Sequence, residues 1–319
     1  LVNVSRGLSA PITLEADHND ILAARDSGFL QIHCASCQEV VDGVLIAYRL
    51  AEDPAVRLPV MVNLDGFYLS FTREPVDIPA VESAAAFLPP FDPGSIRFSA
   101  RAPESQAVAV LGGGPYSYFR YETHLAAMNA ISVFERIANE YKTLFAREFA
   151  AIETYHTDDA EIVFYIIGSF ASKARDAVDR LREQGQRVGL VRPRLLRPLP
   201  VDAIAEALVG VQGVAVVDQN LSMGQGGVLH TELSAAMYSR VGAPSIICSF
   251  IGGLGGREIA PEEFYQMVEV TRQALVSGEA PPARLLYTET ELREVRKLQS
   301  VAKVERDETS AALKGVKHE

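Results

Sequence analysis

Apolar and polar positions follow two rhythms along this chain, and their order sets the expected architecture. Leu1-Val-Asn-Val-Ser5 alternates like a half-buried strand with no cap or turn ahead of it, so the chain reads as starting inside a domain. Residues 29–34 are a candidate buried strand. Residues 38–51 repeat apolar side chains at Val40, Val41, Val44, Leu45 and Tyr48, the spacing of one helix face. Residues 58–64 read as a further strand ending at Asp65-Gly66, and a polar group at the carboxyl end of a parallel strand is where open α/β sheets place their ligands. Leu88-Pro-Pro-Phe-Asp-Pro-Gly94 breaks regular structure and marks the exit from this first unit.

Residues 116–155 contain no Gly or Pro and carry apolar residues in steps of three and four from Leu125 to Phe145. That pattern predicts one long amphipathic helix, or two nearly continuous ones, linking two domains. A second unit then alternates strands at 161–167, 187–191, 214–218 and 245–251 with helices at 173–184, 201–209 and 228–240. A βαβα order of this kind makes a mostly parallel sheet covered on both faces. The expected fold class is therefore α/β, with two three-layer α/β/α domains over 1–110 and 157–285, a linking helix over 111–156, and a polar tail over 286–319 that is helical near 292–304.

Composition narrows the function classes. A chain of 319 residues that is 48% hydrophobic and 22% charged has ample material for cores, which excludes disorder and collagen-like repeats. The longest apolar run, 162–171, falls well short of the ~20 residues that cross a bilayer, and no signal segment opens the chain, so no membrane association and a cytoplasmic location are expected. A formal charge of -11 leaves no basic stripe to displace counterions from nucleic acid. Three cysteines cannot build a disulfide framework, which suits a reducing compartment.

Candidate chemistry is sparse. Cys34-Ala-Ser-Cys37 is a C-x-x-C, but zinc and iron–sulfur sites need four ligands and only Cys248 remains, so no metal site is expected and two small residues at a helix start are the better reading. Asp17-His18-Asn19-Asp20 is either an active-site loop that hydrogen-bonds a charged substrate or plain capping of a following helix. Arg6 closes the first strand, where its planar fork of donors matches a carboxylate; a surface salt bridge is the alternative. Ser222-Met-Gly-Gln-Gly-Gly227 and Gly252-Gly-Leu-Gly-Gly256 lack the phosphate-loop lysine and read as tight turns, and Gly112-Gly-Gly114 as a loop before the long helix.

Several of these stretches, taken in order, resemble the alpha subunit of 2-oxoacid:ferredoxin oxidoreductases, and most of all the multi-subunit pyruvate type. They are Ser5-Arg6-Gly-Leu-Ser-Ala-Pro-Ile12, Asp17-His18-Asn-Asp20, Arg25-Asp-Ser-Gly-Phe29, Gln38-Glu39, Leu58-Pro-Val-Met-Val-Asn-Leu-Asp-Gly-Phe67, Glu74-Pro-Val-Asp-Ile78 and Phe87-Leu-Pro-Pro90. Arg194-Leu-Leu-Arg-Pro-Leu-Pro200, Val217-Asp-Gln-Asn-Leu-Ser222 and Phe250-Ile-Gly-Gly-Leu-Gly-Gly-Arg-Glu-Ile259 are similar to the family's transketolase C-terminal-like domain. The resemblance implies oxidative decarboxylation of a 2-oxoacid on thiamine diphosphate, with the acyl group passing to coenzyme A and electrons leaving through [4Fe-4S] clusters to ferredoxin.

It further implies that residues 1–110 are the pyrimidine-side domain of the thiamine site. The diphosphate, its Mg2+ and a proximal cluster would belong to a beta subunit, with gamma and delta subunits completing a dimer of heteromers. Arg6 falls on the family's arginine for the substrate carboxylate, with Asp17 and His18 on the following loop. The family's glutamate that activates the aminopyrimidine falls upstream of Leu1. Gly7, Phe29 and Ser70-Phe71 stand where related pyruvate enzymes usually have Ala, Trp and Thr-His, which keeps an oxalate-using relative open. Another thiamine-dependent dehydrogenase or transketolase-like subunit, and a non-catalytic assembly subunit, are the remaining alternatives. The second domain is expected to serve subunit association.

Overall fold

The computed structural model describes residues 1–8, 11–94, 99–103 and 113–315, with side chains as far as 308. Ser9 and Ala10 of the Arg6 motif, and Gly112, lie outside the described residues. The chain divides into two units, Leu1–Arg284 and Leu285–Glu319. The first contains both sheets apart from Leu285, the last residue of the final strand.

In the smaller sheet β1 (Val2–Ser5), β3 (Val60–Asp65) and β2 (Leu30–His33) run parallel in that spatial order, with β7 (Leu195–Arg197) antiparallel on β2. β2 and β3 are buried along their whole length, including the polar side chains of Gln31, His33, Asn63 and Asp65. The register pairs Ser5 with Asp65, so Arg6 leaves the sheet beside Gly66.

Helix α2 (Cys37–Ala51) covers this sheet with Ile46, Ala47 and Leu50, and starts at Ser36, whose Oγ accepts a hydrogen bond from the Glu39 amide at 3.2 Å. α3 (Val81–Phe87) and α4 (Gly113–Phe145) complete the layer, with Phe134, Ile137 and Tyr141 in the same core as Leu30, Ile32 and Val62. The helix expected to reach residue 155 therefore ends at Phe145. Ala146 takes φ +53 and its amide donates to the Lys142 carbonyl at 2.9 Å. Such left-handed terminations usually use Gly or Asn, and an alanine there leaves no mark in the sequence. Nor is α4 a free link, because the Tyr141 and Phe87 rings meet at 5.2 Å and Arg136 pairs with Asp53 at 2.5 Å.

The second sheet runs β10-β9-β8-β5-β6-β4. Its central strands β5 (Ile162–Tyr165), β6 (Val188–Pro193), β8 (Gly213–Asp218) and β9 (Ile246–Ile251) are parallel. β4 (Ile152–Tyr155) is antiparallel on β6, and β10 is the short Arg284–Leu285. α5 (Ala171–Glu183), α6 (Val201–Ala207) and α7 (Val228–Met237) stand within a few residues of their expected positions. α8 (Pro261–Ser277) was not part of the expected set; it begins with Pro in its first turn and buries Phe264, Met267, Val268 and Thr271. The Arg194–Pro200 stretch does more than its expected place in the second domain, since β7 crosses over to close the first sheet.

The short α1 (Asn19–Ala23) lies between β1 and β2, and α9 (Glu289–Gly315) makes up most of the second unit. Among the described residues no helix is long and apolar enough to cross a membrane.

Candidate functional site

The carboxyl ends of β1, β3, β5, β8 and β9 bring the polar groups together. At the end of β1, Arg6 is exposed and its guanidinium forms no ion pair among the described residues. Its backbone is fixed: the Arg6 amide donates to Asp20 Oδ2 at 3.2 Å, and Ser5 Oγ to Asp20 Oδ1 at 3.2 Å. The Gly66 amide donates to the Ser5 carbonyl at 2.9 Å, and a Cβ on Gly66 would stand 2.3 Å from that oxygen. Only glycine permits this approach. Phe67 follows at φ +66 with its ring stacked on Phe71 at 5.2 Å, both exposed.

Asp17 and His18 are buried rather than displayed beside Arg6. Asp17 accepts from the Asn19 amide at 3.0 Å and from the Gly255 amide at 3.2 Å. His18 Nε2 lies 2.8 Å from Asp65 Oδ1, and its amide donates to the Gln219 carbonyl at 2.8 Å. Asp65 Oδ2 in turn accepts from the amide and the hydroxyl of Ser169, at 2.7 and 2.6 Å. Gly168 precedes that serine at φ +75, and a Cβ there would meet both Asp65 and His18 at 2.8 Å. Capping does not explain this histidine: His18 is the N-cap residue of α1 but its side chain makes no capping hydrogen bond, and Asp17 accepts from the first α1 amide instead.

The electrostatics follow from burial and pairing. Burial alone would lower the His18 pKa, but the Asp65 carboxylate outweighs it and holds His18 above the ordinary imidazole value. The same pair, with the Ser169 donors, holds Asp65 below the usual carboxylate range. His33 meets His18 edge-on at 6.0 Å between ring centroids, and burial pushes it down to about 3. Burial drives Asp218 the other way, up to about 7, although it accepts the first free amides of α7 from Leu229 and His230.

The expected turns behave as turns. Gly253, Gly255 and Gly256 take φ +70, +55 and +80, and the Gly256 amide donates to the Ala16 carbonyl at 2.8 Å. Tyr68 closes the contact with its hydroxyl on the Gly256 carbonyl at 2.5 Å. In the C-x-x-C, Cys37 is the first residue of α2, and burial pushes both Cys34 and Cys37 up, away from a reactive thiolate. Among the described residues no group of three or more His, Cys, Asp or Glu is placed to hold a metal ion.

A second buried network joins Glu39, at the start of α2, to Arg192 and Arg194 of the β6 end, with Glu153 of β4 on their far side. Sequence reasoning missed it because Glu39 lies more than a hundred residues from the other three members. A cavity of about 750 Å³ is lined along β4 and α6 by Glu153, Arg175, Arg194 and Glu206 among others, and shares no residue with the Arg6 edge. Ser169 and Gln219 were also missed; the one available signal was their place just past predicted strand ends.

The fold and this edge define an α/β protein whose polar residues gather at the carboxyl ends of strands in two mostly parallel sheets. Comparison with known proteins supplies the family. Residues 1–142 match the profile described as pyruvate flavodoxin/ferredoxin oxidoreductase, thiamine diphosphate-binding, and residues 160–264 match pyruvate:ferredoxin oxidoreductase core domain II. The chain is 40% identical over 271 residues to pyruvate synthase subunit PorA of Methanothermobacter thermautotrophicus, covering 85% of this chain and 69% of that one. It is 35% identical over 279 residues to ketoisovalerate oxidoreductase subunit VorA of Pyrococcus horikoshii, covering 87% and 70%. It therefore belongs to the alpha-subunit family of 2-oxoacid:ferredoxin oxidoreductases, and is a subunit of an oxidoreductase. A solved 2-oxoglutarate:ferredoxin oxidoreductase from Magnetococcus marinus shares the fold at TM-score 0.50 and 18% identity, over 84% of this chain and 47% of that chain. The present chain thus spans about half the length of that protein.

Proposed function

We propose that this chain forms the substrate-side face of a thiamine diphosphate-dependent 2-oxoacid:ferredoxin oxidoreductase and that Arg6 holds the substrate carboxylate. The observation that carries this reading is Arg6 itself, exposed and unpaired among the described residues at a strand end braced by Asp20 and Gly66. A guanidinium there offers two parallel N–H donors to a carboxylate, and fixing the carboxylate orients the adjoining carbonyl for attack. Thiamine diphosphate, when bound, supplies the carbon nucleophile and the electron sink that loss of CO2 requires.

The residues present fit one side of that cofactor. The exposed, stacked rings of Phe67 and Phe71, which follow Gly66 in the chain, suit the face of a heteroaromatic ring. In this division a beta subunit holds the diphosphate, Mg2+ and a [4Fe-4S] cluster. Gamma and delta subunits complete the enzyme, coenzyme A takes the acyl group and ferredoxin the electrons. The assembly is a cytoplasmic dimer of such heteromers. Asp17 and His18, buried behind Arg6, act by orienting the strand end. Pyruvate is the favoured substrate because the 40% identical relative carries that name.

The test is 2-oxoacid-dependent reduction of a viologen dye, with the chain alone and mixed with its beta partner, on pyruvate, 2-oxoisovalerate, 2-oxoglutarate and oxalate. The expected result is turnover only in the mixture and fastest on pyruvate. Turnover by the chain alone, or none on any 2-oxoacid with the partner present, overturns the proposal.

A further inference from the structure

We infer that Asp65 is a positioning residue for substrate binding, clamping the strand end that carries Arg6 to Ser169 of the second sheet, with His18 as the third member of the clamp. The inference rests on the proposed role of Arg6 and gives the second domain a part in the site beyond subunit association.

Three independent features point the same way. First, the β1–β3 ladder ends on the Ser5–Asp65 pair, and the Gly66 amide holds the Ser5 carbonyl, so any shift of Asp65 is passed to Arg6 through one residue of rigid strand. Second, both Asp65 oxygens are engaged by groups from other elements: one by His18, the other twice by Ser169, which belongs to the loop after β5. Third, the approach is built for closeness, since any residue larger than glycine at 168 would collide with both Asp65 and His18.

The second sheet also grips the His18 loop from other directions, through the Gln219 carbonyl on the His18 amide and the Gly255 amide on Asp17. The charged and titratable groups facing His18 are Asp65 on β3, Asp17 and Asp20 around α1, His33 on β2 and Asp218 on β8. Against burial, the Asp65 contact is the main influence that raises His18, and Asp20 and Asp17 add to it.

The experiment compares Asp65→Asn, Ser169→Ala and Ser169→Thr in the full enzyme complex, alongside a histidine-selective NMR titration of the full chain. Asp65→Asn keeps the volume but loses the paired charge, and should raise the pyruvate KM about tenfold with kcat within about twofold. Ser169→Ala should raise KM about threefold, and Ser169→Thr, which restores the hydroxyl, should return it toward the parent value. In the titration His18 should lose its proton at lower pH in Asp65→Asn than in the parent.

A purely structural role would lower the melting temperature of these variants and leave KM alone, and that result overturns the inference. Should Asp65→Asn fail to fold, Ser169→Ala decides alone, because its backbone amide still reaches Asp65. If the parent complex turns over no 2-oxoacid, the functional reading fails separately, while an unchanged His18 titration in Asp65→Asn would still refute the clamp.

Discussion

Two buried polar networks tie the first sheet to the second, and they are made from different kinds of charge. Glu39, Glu153, Arg192 and Arg194 form a network of carboxylates and guanidinium groups, joined by contacts such as Arg194 Nε to Glu39 at 3.0 Å and Arg192 Nε to Glu153 at 2.8 Å. The clamp at the strand ends turns on one imidazole, His18, whose charge depends on pH. The first network lies at the start of α2, away from Arg6, and the second ends one residue from it. The difference suggests a division of labour, in which the arginine network fixes how the layers dock and the histidine clamp sets the fine position of the substrate edge.

The largest expected effect breaks the arginine network. Glu39→Ala leaves two buried guanidinium groups short of a partner, and should destabilise the full chain by about 3–5 kcal/mol in denaturant unfolding. The two arginines also hold the Glu39 carboxyl down at about 2 against the opposing effect of burial. Its stabilisation is therefore present above the ordinary carboxylate value and is lost as pH falls toward about 2, a loss that Glu39→Gln should abolish.

A smaller effect separates the clamp by its pH dependence. His18 is raised, so its contribution is complete below the ordinary imidazole value and disappears as pH rises through its elevated value. Asp65 is lowered, so its contribution is lost only on strong acidification. Melting temperature should consequently decline from neutral into mildly alkaline pH more steeply in the parent than in His18→Gln. Above neutral pH Asp218, pushed up to about 7, is largely past its own titration and does not mask the difference. Parallel curves for parent and variant would mean that His18 is not the titrating member.

The smallest effect is the control. Arg240 and Asp202 pair at 2.9 Å, but Asp202 is almost wholly exposed, so Asp202→Asn should change stability by less than about 0.5 kcal/mol and leave KM unchanged.

Much of the frame was legible because burial dictates composition. β5, β8 and β9 are largely apolar runs suited to a covered sheet, and α2 and α5 carry their buried faces at helical spacing, whereas β2, β3 and β6 also bury polar side chains. α8 was legible too, with Pro261 followed by Glu262 and Glu263 and an apolar face behind them, but was not read. Other features left no local trace. The end of α4 rests on one alanine in a left-handed conformation, and β7 joins the first sheet from sequence 160 residues away.

The site divides in the same way. Arg6 could be placed by resemblance, and Asp65 stood out as a polar strand end. Ser169 and Gln219 become part of the site only when two sheets meet, a long-range fact that neither spacing nor periodicity encodes.

The central claim is that Arg6 anchors the substrate carboxylate. Its most direct test is the steady-state kinetics of Arg6→Lys in the reconstituted complex, with thiamine diphosphate binding measured alongside by calorimetry. Lysine keeps the charge and loses the fork of donors. A fall in kcat/KM by about one to two orders of magnitude, equivalent to roughly 1.4–2.7 kcal/mol, with a raised KM and unchanged cofactor affinity, is the predicted result. Normal kcat/KM for every 2-oxoacid tested would contradict it and leave Arg6 as an ordinary surface arginine.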